Sequence, residues 1–377
     1  MGISRILHIV NVPWFNAVAW YAFNTALAQQ KAGCTVHIAG DPHSPCLERA
    51  KSIGLNSTAS FHISTHNVLQ QISSLFKLRK YIEDNNIDVV NCHHNVGLWV
   101  SIKAAQWAKN RPLIVITHGH EKPLKSHFLN RLFFNSWSDG VIATSKCIHK
   151  GLKETLRLQD DKLKLILPSV DTEYFKRNSQ LEDTSAGNND PFPVFGLIGR
   201  LDEKKGHYIA LKAMKKLITK GYNIRYVIAG PESELKYEEL KIYAREEKLT
   251  QRIFFLGRVT DIRDVYRICD CGIIASTASE AICRVALEFM AMRIPVIASR
   301  LHGIPDVVPE DNGCALFKTG DVDSLADKME NFLLNHKLWT SWKLSSRSYA
   351  DKNHYLSKLA SESLEFYDSL RGRKRPN

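Results

Sequence analysis

Short runs of apolar, often β-branched residues alternate with longer segments of helical periodicity along most of the chain. Because each run is short and continuously apolar, the pattern predicts strands that are buried on both faces of a sheet. Helix-period segments such as 20–32 and 208–219 lie between these runs, so the sequence predicts parallel sheets covered by helices. The predicted strands are residues 6–10, 35–39, 89–92, 113–117, 140–144 and 164–167, followed by 194–198, 225–229, 253–256, 271–275 and 296–298.

The alternation restarts near residue 194, after a polar segment, 176–193 (KRNSQLEDTSAGNNDPFP), whose Gly, Asn and Pro content is typical of a linker. A chain of 377 residues also exceeds what one ordinary hydrophobic core organises. We therefore predict an α/β protein with two doubly wound, Rossmann-like domains, 1–175 and 194–349. In such sheets a ligand crevice is expected at the carboxyl ends of the strands.

The composition favours a globular protein in the cytoplasm. The hydrophobic fraction is 44% and the charged fraction is 24%, and neither fits a disordered or fibrous chain. There is no apolar run long enough to span a bilayer, and the apolar stretch 6–10 is too short for a signal peptide. The eight cysteines lack CxxC or Cys/His metal spacing, so we expect free thiols in a reducing compartment.

The net charge of +12 is concentrated in the first half, where residues 1–170 hold 19 Lys and Arg against 10 Asp and Glu. Such asymmetry indicates an anionic partner such as a membrane surface, a phosphorylated glycan or nucleic acid, and the alternative is a solvated basic face. Nucleic acid is the least favoured, because no recognition motif accompanies the charge. Residues 122–137 (KPLKSHFLNRLFFNSW) predict a helix from about Ser126 that is either interfacial, at an anionic membrane, or part of the core.

Several enzyme classes lose their main sequence signal. The sequence contains no GxGxxG, no GxxxxGK[ST] and no GxSxG, which disfavours dinucleotide-binding oxidoreductases, P-loop enzymes and α/β-hydrolases. Asp321-Val322-Asp323 has the form of a DxD metal site, but Asp321 or Asp323 is better placed to cap a helix that begins near Ser324. We therefore expect no metal site there.

Two cations follow the first predicted strand of the second domain. In VFGLIGRLDEKKGHYIALKAM, residues 194–214, the strand ends at a Gly199 turn, and Arg200 and then Lys205 precede the next helix. A guanidinium and an ammonium at a strand's carboxyl end suit a diphosphate, although the motif alone would also fit a solvated turn.

Two acids lie in the later segment CGIIASTASEAICRVALEFMAMRIPVIASRLHGIPDVV, residues 271–308. A strand leads into a Ser/Thr/Ala loop, Glu280 follows, and a helix is predicted from about Cys283 to Met292, with Glu288 inside it. The free N–H groups and the positive dipole end of this helix would face the same crevice as Arg200, ready for an anion. The alternative for Glu288 is an exposed helix acid.

Taken in order, GRLDEKKG, VIAGPES, FLGRV, SEAICRVALEFMA and IPVIASRLHGIPDVV resemble the retaining, group-1-type glycosyltransferases of family four, which have the GT-B fold. The first half resembles them more weakly, through its strand order, VNCHHN, VITHGH and PSVDTEYF. The resemblance implies two Rossmann-like domains that face each other across a crevice. It also implies that a C-terminal helix within about 350–377 packs back on the first domain.

The resemblance also implies roles for particular residues. Glu288 would bind the ribose hydroxyls of the donor nucleotide and Glu280 the hydroxyls of the transferred sugar, which suits carboxylates because they accept hydroxyl hydrogen bonds. His118, after the strand 113–117, would lie near the donor sugar. Arg200 and Lys205 complete the catalytic set. The other residues implied at the donor site are Asn16, Ala17, Gly199, Gly257, Arg258, Ser276, Ile282, Cys283 and Arg284, and those implied on the acceptor side are His93, His94 and His120.

Two loops depart from the family pattern. Relatives usually carry Gly-Gly in the first loop, where this chain has Asn16-Ala17, and a Cβ restricts both φ and the approach of a phosphate. The loop after Glu280 usually contains Gly-Phe-Gly, whereas this chain has Ala281-Ile282-Cys283. Arg284 then follows, where it would add a cation near the diphosphate or cover the helix start.

The expected function is that of a hexosyltransferase-like enzyme that moves a sugar from a nucleotide-diphosphate donor to a cell-envelope glycan or glycolipid, with retention. Lipopolysaccharide, capsule and exopolysaccharide are the expected acceptor types, a UDP-sugar is expected ahead of a GDP- or ADP-sugar, and the location is cytoplasmic, with peripheral contact to the inner face of the membrane. No metal or other cofactor is expected, because the two cations and the helix N-terminus would stabilise the leaving diphosphate. The alternatives are a GT-B sugar-nucleotide 2-epimerase and a non-catalytic sugar-nucleotide or membrane-binding relative.

Overall fold

The computed structural model describes residues 2–12, 14–42, 44–55, 58–120, 124–176, 192–278 and 280–372. The chain divides into two compact units, of which the first contains Met1–Ser169 and Leu356–Asn377 and the second contains Val170–Tyr355. Each unit has a parallel β-sheet. Most of the predicted linker, 177–191, lies outside the described residues, and so do residues 122 and 123 of the predicted interfacial segment and 373–377 at the C-terminus.

The first unit has a seven-stranded sheet in the order β3-β2-β1-β4-β5-β6-β7. The direction of winding reverses between β1 and β4, which is where doubly wound sheets bind ligands at the carboxyl ends of their strands. The strands are β1 Arg5–Ile9, β2 Thr35–Gly40, β3 Thr58–Ser60, β4 Val89–Cys92, β5 Leu113–His118, β6 Gly140–Ala143 and β7 Leu163–Leu165. The helices are α1 Ala17–Lys31, α2 Pro45–Ser52, α3 Val68–Asp84, α4 Leu98–Gln106, α5 Phe128–Arg131 and α6 Lys146–Leu156.

The second unit has a six-stranded sheet in the order β10-β9-β8-β11-β12-β13. Its hydrophobic core contains large buried side chains such as Phe195, Tyr226 and Phe332. The strands are β8 Val194–Ile198, β9 Arg225–Ala229, β10 Ile253–Gly257, β11 Cys271–Ile274, β12 Val296–Ser299 and β13 Ala315–Phe317. The helices are α7 His207–Thr219, α8 Tyr237–Glu246, α9 Ile262–Arg267, α10 Arg284–Ala291, α11 Val322–Leu334 and α12 Trp339–Asn353.

The last helix, α13 Leu356–Arg371, returns to the first unit and packs against α1. The hydroxyl of its Tyr367 accepts a 2.8 Å hydrogen bond from the Asn91 side chain of β4. The boundary between the units falls at Val170 rather than near 175, because the Val170 backbone N–H donates to His354 O at 2.9 Å. Residues 170–175 therefore belong to the second unit.

The predicted strands all occur, and two further strands, β3 and β13, were not predicted because β3 (TAS) contains no large apolar residue and β13 (ALF) contains no β-branched one. Asp321 caps α11, as the sequence predicted, because its side chain accepts hydrogen bonds from the backbone N–H groups of Asp323 and Ser324. The helix predicted from about Ser126 is different: α5 is a single turn and continues into a π-helix, Leu132–Trp137, whose Phe134 is buried. Phe128 and Leu129 of α5 are exposed, so the segment is not wholly buried, and its contact with a membrane stays a prediction.

Candidate functional site

Two glycines bring loops together at the carboxyl ends of the second sheet. Gly206 has φ +69°, and a Cβ there would lie 2.0 Å from the carbonyl oxygen of Ala275, just after β11. A Cβ on Gly230, after β9, would lie 1.9 Å from the carbonyl oxygen of Gly199. No L side chain fits such approaches, so these positions need glycine. The loop that carries Lys205 is thereby fixed beside the loop that follows β11.

Lys205 and Glu280 form a partly buried ion pair in this corner. The ammonium of Lys205 contacts Glu280 Oε1, and Ser276 Oγ donates to the same oxygen at 2.7 Å. The side chain of Glu280 is almost fully buried. Burial lowers the pKa of Lys205, but the Glu280 carboxylate opposes this strongly enough to hold that pKa above its ordinary value. Two predicted catalytic residues and the predicted donor residue Ser276 thus form one charged cluster.

Arg200 stands apart from this pair. Its guanidinium is half exposed and lies 3.6 Å from the buried carboxylate of Asp202, which also caps the following turn by accepting from the Lys204 backbone N–H at 3.0 Å. The Arg200 carbonyl contacts His207 Nε2 at 3.1 Å. The backbone at Arg200 is therefore held firmly, while the exposed end of its side chain can meet an anion.

Glu288 is buried in α10, not exposed on its surface, since only 3% of the residue is accessible. The Tyr266 hydroxyl donates to Glu288 Oε2 at 2.5 Å, and Arg284 Nε lies 3.5 Å from Oε1. Burial raises the pKa of Glu288, and Arg284 and Tyr266 oppose that rise. Tyr266 was missed from the sequence because it lies in another helix, α9, within a segment that carries no motif.

The N-terminus of α10 has the predicted position, with Cys283 as its N-cap residue. The Cys283 side chain makes no capping hydrogen bond within the described structure, whereas the Arg284 backbone N–H donates to Ile282 O at 3.0 Å. The N–H groups that follow Arg284 in the first turn therefore suit an anion. Burial raises the pKa of the Cys283 thiol, which therefore stays protonated. Ala281 and Ile282 are buried as well. These side chains pack into the core, so only backbone atoms of this loop could meet a donor.

The remaining predicted donor residues are less closely grouped. Gly257 has φ +63°, which favours glycine, and its carbonyl accepts from the Gly230 backbone N–H at 2.8 Å. The Arg258 side chain after it is exposed. In the first unit, Asn16 caps α1 by accepting from the Ala19 backbone N–H at 3.0 Å, and Ala17 begins that helix. The side-chain oxygen of Asn16 is therefore engaged in capping α1.

Three histidines cluster at the carboxyl ends of β4 and β5 in the first unit. The rings of His118 and His120 are 6.0 Å apart between centroids, and those of His94 and His120 are 5.4 Å apart. His118 is buried, with its ring edge-on to Phe134, whereas the other two are partly exposed. Burial and then the neighbouring His120 lower the pKa of His94 to about 4. His94 is therefore a neutral imidazole at pH 7, able both to donate and to accept hydrogen bonds.

His93 does not join this cluster, although it was predicted on the acceptor side. It is fully buried, and its Nε2 lies 2.8 Å from Nδ1 of His8. His8 Nε2 in turn contacts Gln29 Oε1 at 2.8 Å, and Gln29 donates to the Ser363 hydroxyl at 2.8 Å. This buried chain joins β4, β1, α1 and α13. His93 is therefore a core residue that ties the C-terminal helix to the sheet.

The described residues contain neither a helix that could span a membrane nor a cluster that could hold a metal ion. None of the helices in those ranges is both long enough and apolar enough to cross a membrane. Those residues also contain no group of three His, Cys, Asp or Glu side chains arranged to hold a metal ion.

Two family models match the chain, and together they cover most of it. The Glycosyltransferase Family 4 model matches residues 18–174, and the model for glycosyl transferases group 1 matches residues 179–349. Each match coincides approximately with one of the two units.

Curated relatives are similar to the chain at low identity. The capsular polysaccharide biosynthesis glycosyltransferase CapM of Staphylococcus aureus is 26% identical over 47% of this chain and 46% of its own length, so this match spans less than half of that relative. The N-acetyl-alpha-D-glucosaminyl L-malate synthase of Bacillus anthracis is 23% identical over 79% of each chain.

Among solved structures, HepE of Anabaena in complex with UDP superposes with a TM-score of 0.80 at 18% identity, and covers 97% of this chain and all of its own. At that identity the likeness shows the fold alone, which is GT-B. The predicted fold class and family are both confirmed, and the chain belongs to the family 4, group 1 glycosyltransferases.

Proposed function

We propose that this glycosyltransferase moves a sugar from a nucleoside-diphosphate donor to a glycan or glycolipid of the cell envelope, with retention of anomeric configuration. The observation that carries the proposal is the grouping of two nearly buried carboxylates, Glu280 and Glu288, around the N-terminus of α10, with Lys205 paired to the first. Buried carboxylates cost free energy unless they are compensated. Hydroxyl groups of a sugar and a ribose would add such compensation.

The proposed mechanism assigns the developing charge to groups of the second unit. As the sugar–phosphate bond breaks, negative charge grows on the diphosphate while the sugar becomes oxocarbenium-like. Lys205, the exposed guanidinium of Arg200 and the N–H groups at the start of α10 would stabilise that charge. Glu280, which already accepts a hydrogen bond from Ser276, would accept one from a sugar hydroxyl and so orient the sugar for transfer.

Metal independence is part of the proposal, because these positive groups occupy the place where a divalent ion would otherwise meet the diphosphate. We propose UDP as the nucleotide, supported by the binding of UDP to HepE, which shares the fold. If transfer is undiminished in excess EDTA and unchanged by added Mg²⁺, the metal-independent route stands. Loss of transfer in EDTA that Mg²⁺ restores would exclude it.

For retention we propose that the departing phosphate itself accepts the proton of the attacking hydroxyl. A covalent route needs a carboxylate nucleophile beside the sugar. Near the histidine cluster of the first unit, Asp41 has its oxygens engaged by the Ser64 hydroxyl at 2.6 Å and by the backbone N–H groups of Ile63 and Ser64. That carboxylate therefore holds its own loop in place, which favours the phosphate route.

The acceptor is proposed to meet the histidine cluster of the first unit. His118 would contact the donor sugar, and His94 and His120, which are partly exposed, would contact hydroxyls of the acceptor. Because the low pKa of His94 keeps its imidazole neutral, it can bind sugar hydroxyls without adding charge.

A membrane-bound acceptor is proposed because of an apolar face on α3. Leu69, Ile72 and Phe76 are separated by three and four residues, so they share one side of the helix, and each is at least 41% exposed. Phe76 also contacts the exposed Trp107, with ring centroids 6.4 Å apart. The neighbouring Lys77 is exposed. Exposed apolar side chains beside a cation, on the unit with the larger positive net charge, suit the headgroup layer of an anionic membrane.

The first experiment is a thermal-shift screen with UDP, GDP and ADP, since a ligand that binds only the folded protein raises its melting temperature. We expect UDP to give the largest shift, and UDP-sugars then to support transfer to envelope glycolipid extracts. If none of the three nucleotides shifts the melting temperature, the proposed donor is wrong. Incubation with the donor alone, analysed for an isomerised sugar, distinguishes transfer from epimerisation.

A further inference from the structure

Tyr266 and Glu288 form a short, buried hydrogen bond that the proposed chemistry does not by itself require. The Tyr266 hydroxyl donates to Glu288 Oε2 at 2.5 Å, a length typical of a hydrogen bond to a charged carboxylate. Burial and the Glu288 carboxylate raise the pKa of the Tyr266 phenol well above its ordinary value, so the hydroxyl keeps its proton and remains the donor.

The Tyr266 ring is clamped on two sides. The Phe289 ring lies edge-on to it at 4.8 Å between centroids, and the Phe175 ring does so at 6.1 Å. Tyr266 itself is completely buried. Because packing fixes the ring, the hydroxyl oxygen is held in one position, and the carboxylate that it bonds is held with it.

The other side of the carboxylate is held more loosely. Arg284 Nε lies 3.5 Å from Glu288 Oε1, at the limit of a hydrogen bond, and the Arg284 side chain is one third exposed. A carboxylate offers about four lone-pair positions, of which the tyrosine uses one. Oε1 therefore keeps the capacity to accept hydrogen bonds from a ligand, and the partly exposed Arg284 side chain can move aside.

We propose that Tyr266 is a positioning residue for nucleotide binding: it fixes the carboxylate of Glu288 so that Oε1 is presented to the ribose hydroxyls of the donor. This inference rests on the proposed function, because it takes Glu288 as the ribose-binding group. A glutamate side chain loses considerable rotamer freedom when it is immobilised. Because Tyr266 already immobilises Glu288 in the folded protein, less rotamer entropy is lost when the nucleotide binds.

The experiment compares two tyrosines of the same unit. Tyr266→Phe removes the hydroxyl that holds Glu288. Tyr226→Phe removes a hydroxyl that is equally buried but has no hydrogen-bond partner within the described structure. With UDP as the probe, we expect calorimetry to give a Kd at least about tenfold higher for Tyr266→Phe, since hydrogen bonds to charged groups are strong. Tyr226→Phe should bind UDP as the wild type does.

A double-mutant cycle separates positioning from a general packing effect. In a Glu288→Gln background, Tyr266→Phe should change the Kd for UDP less than twofold, because the charged acceptor of the hydroxyl is already absent. Equal weakening by Tyr266→Phe in both backgrounds would show that the tyrosine acts only through packing, and would overturn the inference.

The pH profile of UDP binding gives a second readout. The groups around the carboxylate are Tyr266 of α9, Arg284 of α10 and the protonated thiol of Cys283. Since the tyrosine favours the charged form of Glu288, affinity should fall at a higher pH in Tyr266→Phe than in the wild type on acidification. Wild-type affinity and an unchanged profile in Tyr266→Phe would overturn this inference alone. Failure of wild-type protein to bind UDP, GDP or ADP would overturn the proposed function and this inference with it.

Discussion

Replacement of Lys205 by alanine should have two separable consequences, because the ammonium both neutralises Glu280 and, as proposed, meets the leaving diphosphate. Without the lysine, the nearly buried carboxylate keeps only the Ser276 hydroxyl among the polar side-chain contacts described around it. One variant therefore affects stability and turnover through the same group, and a well-chosen second variant can distinguish the two.

The effect on stability follows from the burial of the pair. Breaking a fully buried ion pair costs about 3–5 kcal/mol, whereas an exposed pair is worth about 1 kcal/mol at most. The Lys205 side chain is about one quarter exposed and that of Glu280 is 8% exposed, so an intermediate cost of about 2 kcal/mol is expected. For a unit the size of Val170–Tyr355 this corresponds to a fall in Tm of about 6 °C.

The effect on turnover should be larger. Removing one group that stabilises developing charge typically lowers kcat about 10²-fold or more. The assay measures kcat and KM for the UDP-sugar identified in the screen, well below the Tm of every variant. We expect kcat to fall about 10²-fold and the affinity for UDP to weaken too, because the cation meets the ground-state phosphates.

Two controls accompany this variant. Lys204→Ala removes an exposed lysine next in the chain and should leave kcat and Tm unchanged. The double variant Lys205→Ala with Glu280→Gln removes the unpaired charge, so its Tm should recover. Because Glu280 is itself proposed to orient the sugar, the kcat of the double variant is compared with that of Glu280→Gln alone, and it should still be lower. If kcat of Lys205→Ala stays within twofold of the wild type, or if the double variant turns over as fast as Glu280→Gln, the lysine has no role at the diphosphate.

Four other outcomes are expected. Arg200→Ala should lower turnover about 10²-fold with little loss of Tm, since its side chain is half exposed; unchanged turnover would remove it from the mechanism. His118→Ala should impair transfer but not UDP binding, and equal loss of both by calorimetry would indicate damage to folding instead. Because burial raises the pKa of Glu288, UDP affinity should fall as pH drops through that pKa, above the usual glutamate value of about 4.3; a fall confined below that value would contradict this. The protein should sediment with anionic vesicles at low salt and be released at high salt, and Leu69→Ser with Phe76→Ser should abolish that binding.

The vesicle experiment has a control in Leu334→Ser, which removes a leucine of the second unit that is 66% exposed, against 78% for Leu69. It should bind vesicles as the wild type does. Equal binding to neutral and anionic vesicles, or none to either, would argue against the membrane surface and for an acceptor in solution.

The titration of Glu288 should affect stability and UDP affinity in opposite directions. Because its pKa is raised in the folded protein, Glu288 contributes stability when it is protonated, and that contribution is lost as pH rises through the raised pKa, whereas UDP affinity is lost as pH falls through it.

The pattern of apolar runs was sufficient to predict two parallel-sheet domains, because a strand buried on both faces has to be apolar throughout. It also placed Arg200, Lys205 and Glu280 at the carboxyl ends of strands, since in a parallel sheet all strands end at the same edge. The pattern did not predict β3 and β13, although β7 is equally short and was predicted, because β3 (TAS) contains no large apolar residue and β13 (ALF) contains no β-branched one.

Only the tertiary structure decided which of these side chains meet. Lys205 and Glu280 lie 75 positions apart, and their ion pair depends on the close approach of backbone that Gly206 permits. Tyr266 carries no signal of its own in the sequence, yet packing places its hydroxyl on Glu288. Likewise, nothing local distinguishes His93 from His94. One is buried in a hydrogen-bonded chain that reaches α13 and the other is partly exposed, because adjacent residues at the end of a strand point to opposite sides.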